Sequence, residues 1–150
     1  MKVVLGSDHN GVEFKKLLID HLKSEGHDIE DAGPSGTESV DYPDYAFAAA
    51  EKVASGEADR GILICGSGVG MSMAANKVVG VRAALCFTPE SAALTRRHND
   101  ANVLALAGWQ SEASDVLQIV DTFLSTAFDG GRHARRVDKI SEYEMRRVKG

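Results

Sequence analysis

The chain alternates between short apolar stretches and longer stretches whose apolar residues recur at helical spacing. The short stretches are rich in Val, Leu and Ile, and they predict strands at 2–7, 27–33, 61–65, 81–86 and 102–108. The longer stretches predict helices at 11–25, 43–53, 69–78, 89–98, 111–128 and 132–148. Gly26 and the DGG segment at 129–131 mark two helix ends, because glycine favours the backbone conformation that terminates a helix.

Strands that alternate with helices indicate a parallel sheet that is covered by helices on both faces. About five strands are typical of a small doubly wound α/β fold. The 150 residues fit a single domain, 1–150, that ends in a basic helix, and the sequence contains no linker and no repeat. Ligands of such folds bind beyond the carboxyl ends of the strands, so the residues that follow each strand are the candidates for function.

Composition and charge argue against several classes of protein. The net charge of −5 disfavours a general nucleic-acid binder. No apolar run approaches the ~20 residues that cross a membrane. The first residues, MKVVLGSDHNG, do not resemble a signal peptide. Because there are only two cysteines, Cys65 and Cys86, we expect a cytoplasmic protein with free thiols.

A glycine-rich loop follows the third strand, where CGSGVG runs from Cys65 to Gly70. It is not a Walker loop, and Met71 stands where a dinucleotide fingerprint needs its third glycine. The loop instead predicts an anion site made by backbone N–H groups at a helix N-terminus. The same groups favour the thiolate of Cys65, which is therefore a candidate base or nucleophile. The alternative is a small buried core residue, and we interpret Cys86 in that way.

Histidines and arginines supply further candidates. His9 follows the first strand beside Asp8, and His98 lies in the segment RRHNDAN. Each is more often structural when it occurs alone, but two imidazoles at the carboxyl edge of a sheet that also offers a thiol favour an acid–base site. Arg132 and Arg136 are four residues apart on the last predicted helix, a spacing that suits a phosphate clamp or, alternatively, a solvated basic face.

These segments together resemble one protein family. The chain is similar to ribose-5-phosphate isomerase B and related sugar-phosphate isomerases in the segments GSDHNG, DYPDYA, GILICGSGVGMSMAANKVVGVRAALC, RRHNDANVLALA and GGRHARRVDKI. The resemblance implies a Rossmann-like three-layer α/β/α sandwich that forms a homodimer, sometimes paired into a tetramer. It also implies active sites at the dimer interface that use residues of both chains. The implied reaction is aldose–ketose isomerisation of a sugar phosphate, without a metal or a cofactor.

The resemblance also implies a role for each matching residue. Cys65 matches the base that moves a proton between C2 and C1 of the open-chain sugar, and His98 matches the histidine that opens the furanose ring. The enediolate between the two proton transfers is held by N–H groups of the loop, with the Ser67 hydroxyl nearby. The implied substrate contacts are Asp8, His9, Tyr42, Gly66, Gly68, Val69, Gly70, Asn99, Arg132 and Arg136.

One departure from the family pattern concerns the substrate. After the last strand the family commonly has Gly-x-Arg, with an arginine that reaches the phosphate, whereas this chain has Ala107, Gly108 and Trp109. We therefore expect Trp109 to line the pocket and to influence which sugar is accepted. Ribose 5-phosphate is the first choice, and an allose, galactose or tetrose phosphate is the alternative. A binding subunit without turnover is a further alternative, although the chain keeps Cys65, Ser67 and His98.

Overall fold

The computed structural model of the chain describes residues 1–150 and contains one parallel sheet. Its strands are β1 (Lys2–Ser7), β2 (Asp28–Asp31), β3 (Arg60–Cys65), β4 (Ala83–Leu85) and β5 (Val103–Ala107), in the spatial order β2-β1-β3-β5-β4. The helices are α1 (Val12–Ser24), α2 (Tyr42–Ala54), α3 (Val69–Ala75), α4 (Pro89–Asn99), α5 (Ala113–Ser125) and α6 (Arg132–Lys149). The predicted α/β architecture with five parallel strands is confirmed.

The sheet separates two hydrophobic cores, which gives the three layers. Successive side chains of a strand point to opposite faces, so Leu5 packs with α1, α4 and α5 on one face, whereas Val4 packs with α2 and α3 on the other. The central strands β3 and β5 follow the same alternation, and every side chain of β5 is buried. Two buried faces explain why these strands appear as continuous apolar runs in the sequence.

Some elements are shorter than predicted because side chains take over backbone hydrogen bonds at their ends. The side-chain amide of Asn76 accepts from the N–H of Ala83 at 2.8 Å and donates to its carbonyl at 2.9 Å. This pair of bonds ties the residue after α3 to the start of β4. The N–H of Arg82 donates to the side chain of Asn102 at 2.8 Å, so β4 begins only at Ala83.

Helix α4 runs back across the sheet from the carboxyl end of β4 to the start of β5. It has 11 residues and therefore spans about 16 Å at ~1.5 Å per residue. At its end, the Arg82 side chain donates to the carbonyl of Asn99 at 3.2 Å and to that of Asp100 at 3.0 Å. His98 therefore lies at the amino edge of the sheet. The expectation that it shares the carboxyl edge with His9 is wrong, because the helix carries it to the opposite edge.

The segment before α6 is attached to the end of α4. The N–H of Asp129 donates to the carbonyl of Arg97 at 3.1 Å, and the Asp129 carboxylate pairs with the Arg97 guanidinium at 3.2 Å. The first turn of α6 consequently also lies at the amino edge. Further along α6 most side chains are exposed, including Ile140, Tyr143, Met145 and Val148. None of the helices is long and apolar enough to cross a membrane.

Candidate active site

The thiol of Cys65 lies at the carboxyl edge of the sheet, at the end of β3. It is 4 % exposed, and its Sγ accepts a hydrogen bond from the N–H of Gly68 at 3.2 Å. Cys65 pairs with Ala107 of β5, so the ends of the two central strands meet beside the sulfur. A backbone N–H aimed at sulfur stabilises negative charge there, as a proton-accepting thiol requires.

The turn that presents this N–H requires glycine. Gly68 has φ +75°, in the left-handed region that L side chains rarely adopt. A Cβ at Gly68 would also clash with the Leu85 side chain and would lie 3.0 Å from the backbone carbonyl of Leu106. The Ser67 hydroxyl accepts from the N–H of Val69 at 3.3 Å and closes the same turn. The glycine at position 68 thus allows the turn in which its N–H points at the Cys65 sulfur.

Two aromatic rings occupy the space left by the other loop glycines. The Trp109 ring lies against Gly66, where a Cβ would come within 2.5 Å of its Cε2 atom. The Trp109 N–H donates to the Gly66 carbonyl at 3.0 Å, and the side chain is 70 % exposed. The Tyr42 ring lies against Gly70, where a Cβ would come within 2.6 Å of its Cζ atom. One ring therefore stands at each end of the loop.

Asp8 and His9 follow β1 and reach the same edge. The N–H of Asp8 donates to the carbonyl of Ile64 at 3.1 Å, which places this turn beside the end of β3. The Asp8 carboxylate accepts from the N–H of Asn10 at 2.9 Å. The ring of His9 accepts at Nδ1 from the N–H of Val40 at 3.2 Å, so its neutral form carries the proton on Nε2. His9 can therefore donate to an anionic oxygen.

The remaining predicted residues form a second group at the amino edge. Asn99 is exposed at the end of α4, next to His98. Arg132 and Arg136 are exposed on the first turns of α6 and form no ion pair within the chain, whereas Arg97 is paired with Asp129. Two unpaired guanidinium groups one helical turn apart are available to an anion.

The predicted residues thus form two half-sites. The carboxyl-edge half-site comprises Asp8, His9, Tyr42, Cys65, Gly66, Ser67, Gly68, Val69, Gly70 and Trp109. The amino-edge half-site comprises His98, Asn99, Arg132 and Arg136. Gly61, the partner of Val103 at the start of β5, is four residues from Cys65, which corresponds to about 13 Å along the strand. Within one chain the half-sites do not meet.

His133 belongs beside the amino-edge half-site but was not predicted. Its ring stacks on that of His98 with 4.2 Å between centroids and 12° between planes. Burial lowers the pKa of His133, and the positive charges of His98 and Arg132 lower it further. The spacing of His133 and Val137 was a sequence signal for this burial. Residues four apart lie on the same face of a helix, and these two side chains are the buried ones of α6.

The stacked pair also has a carboxylate nearby, which raises the question of a metal. Ligand atoms of His98, Asp129 and His133 lie within 4.8 Å of one another. The lone pairs of an imidazole lie in its ring plane, so two nearly parallel rings do not direct them at one point. Asp129 is also engaged by Arg97. The arrangement is therefore that of a stacked pair rather than a chelating set.

Comparison with known proteins agrees with the resemblance seen in the sequence. A family model described as Ribose/Galactose Isomerase matches residues 3–140. Ribose-5-phosphate isomerase B of Escherichia coli (strain K12) is 46 % identical over 146 residues, covering 97 % of this chain and 98 % of that protein. The structure of ribose-5-phosphate isomerase B from Clostridium thermocellum has a TM-score of 0.96 at 52 % identity, covering 97 % of this chain and 99 % of the other.

A second solved structure contains a bound sugar phosphate. Ribose-5-phosphate isomerase B from Mycoplasma genitalium with bound ribulose-5-phosphate has a TM-score of 0.93 at 48 % identity, and the match covers 96 % of each chain. The predicted family is confirmed by all of these matches. The chain belongs to the ribose/galactose isomerase family.

Proposed function

We propose that the protein is an aldose–ketose isomerase that interconverts ribose 5-phosphate and ribulose 5-phosphate. The reaction type is supported by the position of the Cys65 thiol, whose sulfur lies 3.2 Å from the backbone nitrogen of Gly68 beside further N–H groups of the loop. The choice of sugar is supported by the names of the relatives in Escherichia coli and Mycoplasma genitalium. The two free thiols support a reducing, cytoplasmic location, which we include in the proposal.

The chemistry of the proposal is a proton transfer between neighbouring carbons. The Cys65 thiolate takes the proton from C2 of the open-chain aldose, and the electron pair of that C–H bond forms the C1–C2 double bond. The former carbonyl oxygen at C1 then carries the negative charge of a cis-enediolate. N–H groups of residues 66–70 donate to the enediolate oxygens, and such fixed dipoles are most effective where water is excluded. After a proton moves from O2 to O1, the thiol returns its proton to C1 and the ketose forms.

The composite nature of the site follows from the separation of the half-sites. Cys65 and the ring-opening His98 must both act on neighbouring atoms of one sugar, within hydrogen-bond reach. Cys65 ends β3 about 13 Å along the strand from Gly61, and His98 lies at the opposite edge of the sheet, so the two side chains cannot share one sugar in a single chain. We therefore propose that each active site joins the carboxyl-edge half-site of one protomer to the amino-edge half-site of its partner. The exposed apolar side chains of α6 support a homodimer.

In this composite site different side chains bind different parts of the substrate. Arg132 and Arg136 of the partner subunit bind the phosphate, together with His9. His98 of the partner subunit transfers protons at the anomeric oxygen and the ring oxygen while the furanose opens. Asp8 and Tyr42 contact the sugar hydroxyls, together with Asn99 of the partner subunit. These assignments are ones that the family resemblance implies, and the two half-sites contain every group that they need.

His98→Asn provides a test of ring opening. We expect the variant to lose turnover of ribose 5-phosphate by ~10²-fold, because general acid–base catalysis of ring opening is removed. Erythrose 4-phosphate has no free hydroxyl at C4 and cannot close a furanose ring, so its turnover should be almost unchanged. Steady-state kinetics with both sugars measures the difference. Equal losses on the two substrates would show that His98 does not act in ring opening.

Trp109→Arg provides a test of substrate choice. The family arginine adds a charged hydrogen bond to the phosphate, and such a bond contributes about 1.5–3 kcal/mol. We expect Trp109→Arg to lower the KM for ribose 5-phosphate or to change the ranking among tetrose, pentose and hexose phosphates. Trp109→Phe is the matched control, because it retains a ring against Gly66. If both variants remain dimeric with unchanged KM values and ranking, Trp109 has no role in the pocket and only packs at the interface.

A second candidate function is isomerisation of a different sugar phosphate. The observation that favours it is Trp109, a bulky and 70 % exposed ring where the family commonly has arginine. An isomerisation assay over ribose 5-phosphate, allose 6-phosphate, galactose 6-phosphate and erythrose 4-phosphate distinguishes the candidates. We expect the highest kcat/KM with ribose 5-phosphate. The highest kcat/KM with another sugar would show that the second candidate function is correct. Absence of turnover with every sugar would indicate a non-catalytic binding subunit.

A further inference from the structure

The stacked imidazoles of His98 and His133 are brought together by three contacts other than the stack itself. The Arg97–Asp129 ion pair and the bond from the Asp129 N–H to the Arg97 carbonyl join the chain before α6 to the end of α4. The N–H of His133 then donates to the Gly130 carbonyl at 3.1 Å, which closes the turn into α6. His133 is buried beneath the half-buried ring of His98. The stack is thus built by the fold.

Burial and the charges around the pair disfavour a proton on His133. His133 faces His98 from α4, Asp129 from the preceding turn, and Arg132 and Arg136 from its own helix, while Arg97 is paired with Asp129. Burial is the largest influence on its pKa, and it lowers that pKa. The positive charges of His98, Arg132 and Arg136 act in the same direction, and only Asp129 opposes them. Two stacked imidazolium ions would repel each other, so the pair accepts one proton before it accepts a second.

We propose that His133 is a positioning residue for ring opening: its ring stacks on the His98 imidazole and fixes the plane of that ring. The proposal rests on the proposed function, since it assumes that His98 opens the sugar ring. His133 does not touch the substrate. It limits the rotation of a half-buried side chain at the end of a helix, which keeps the proton-carrying edge of His98 in one orientation.

Kinetics of three variants test this role. An aromatic pair contributes about 0.5–1.5 kcal/mol, so we expect His133→Ala to lower kcat for ribose 5-phosphate about two- to tenfold with little change in KM. Turnover of erythrose 4-phosphate should stay unchanged, because that sugar needs no ring opening. His133→Phe retains a ring and should recover most of the loss. His27→Ala, which removes a histidine whose ring contacts the N-terminal amino group, is the control.

A double-variant comparison separates positioning from general structural support. In the His98→Asn background, His133→Ala should produce no further loss with ribose 5-phosphate, because the side chain through which it acts is already absent. Equal losses on both sugars, an additive loss in the His98→Asn background, or wild-type kinetics in His133→Ala would each overturn the proposal.

NMR spectroscopy of the His98 imidazole tests the same proposal without activity. In the wild-type protein we expect a ring-current shift on the His98 ring protons that is lost in His133→Ala and retained in His133→Phe. Absence of the ring-current shift in the wild-type protein, or its persistence in His133→Ala, would overturn the proposal. If no sugar phosphate is turned over at all, the proposed function fails, and these spectra still report on the stack.

Discussion

Cys65→Ala is expected to reduce isomerisation of ribose 5-phosphate by ~10²–10⁴-fold, the usual cost of removing a general base. The reason is that no other group holds the thiol's position at the end of β3, where the N–H of Gly68 is aimed at sulfur from 3.2 Å. Alanine fits the nearly buried site without strain, so the fold should be retained. Steady-state kinetics with ribose 5-phosphate measures the loss of turnover, and circular dichroism of the variant shows whether the fold is retained.

Cys86→Ala is the matched control for this prediction. Cys86 is also a buried thiol near the carboxyl edge, but burial raises its pKa and it packs within the hydrophobic core. Turnover of Cys86→Ala should therefore remain close to that of the wild-type protein. Wild-type turnover in Cys65→Ala would show that Cys65 is not the base, and Asp8, buried at the same edge, would be the next candidate.

Gly68→Ala should damage stability and turnover together. A left-handed backbone costs an alanine about 1–2 kcal/mol, and overpacking against Leu85 and the Leu106 backbone adds about 1–3 kcal/mol. We expect the free energy of unfolding to fall by about 2–5 kcal/mol. Any relaxation of the loop also moves the Gly68 N–H away from the Cys65 sulfur, so turnover should fall in the protein that remains folded. Urea denaturation and steady-state kinetics measure the two effects.

Gly36→Ala is the control for the effect of glycine replacement. A Cβ at Gly36 meets no atom within 4 Å, and its backbone is outside the left-handed region. Its stability should stay within about 0.5 kcal/mol of the wild-type value, as is usual for surface substitutions. If Gly68→Ala behaves like Gly36→Ala in both assays, the loop does not need the conformation described for it.

Much of the fold could be predicted because the sequence signals its elements locally. The central strands are apolar on both faces and therefore stand out as continuous runs, as in the buried residues 103–107 of β5. The carboxyl-edge half-site was predictable for a related reason. Apart from Tyr42, which opens α2, its residues lie at or just after the ends of strands. The carboxyl ends of parallel strands share one edge, so the sequence predicts that Asp8, Cys65 and Trp109 lie together.

The amino-edge half-site could not be placed from local patterns. His98 precedes a strand, and only the direction and length of α4 show that it is carried to the opposite edge of the sheet. The stack with His133 is a contact between two helices, and it depends on the turn that Arg97 and Asp129 hold. Periodicity along one helix indicates which face is buried, but it does not identify the partner of that face.

The proposed composite active site predicts that two inactive variants can restore each other. When Cys65→Ala and His98→Asn chains carry different affinity tags and are co-expressed, tandem purification isolates the heterodimer. One of its two sites then combines an intact Cys65 with an intact partner His98, whereas the other site lacks both groups.

Turnover of ribose 5-phosphate by this heterodimer tests the composite site most directly. Because a two-fold dimer has two equivalent sites, we expect about half of the wild-type kcat per dimer. A heterodimer of Cys65→Ala with the double variant Cys65→Ala/His98→Asn is the control and should be inactive. If the heterodimer of the two single variants is no more active than its parents, Cys65 and His98 serve the same site from one chain, and the composite arrangement is wrong.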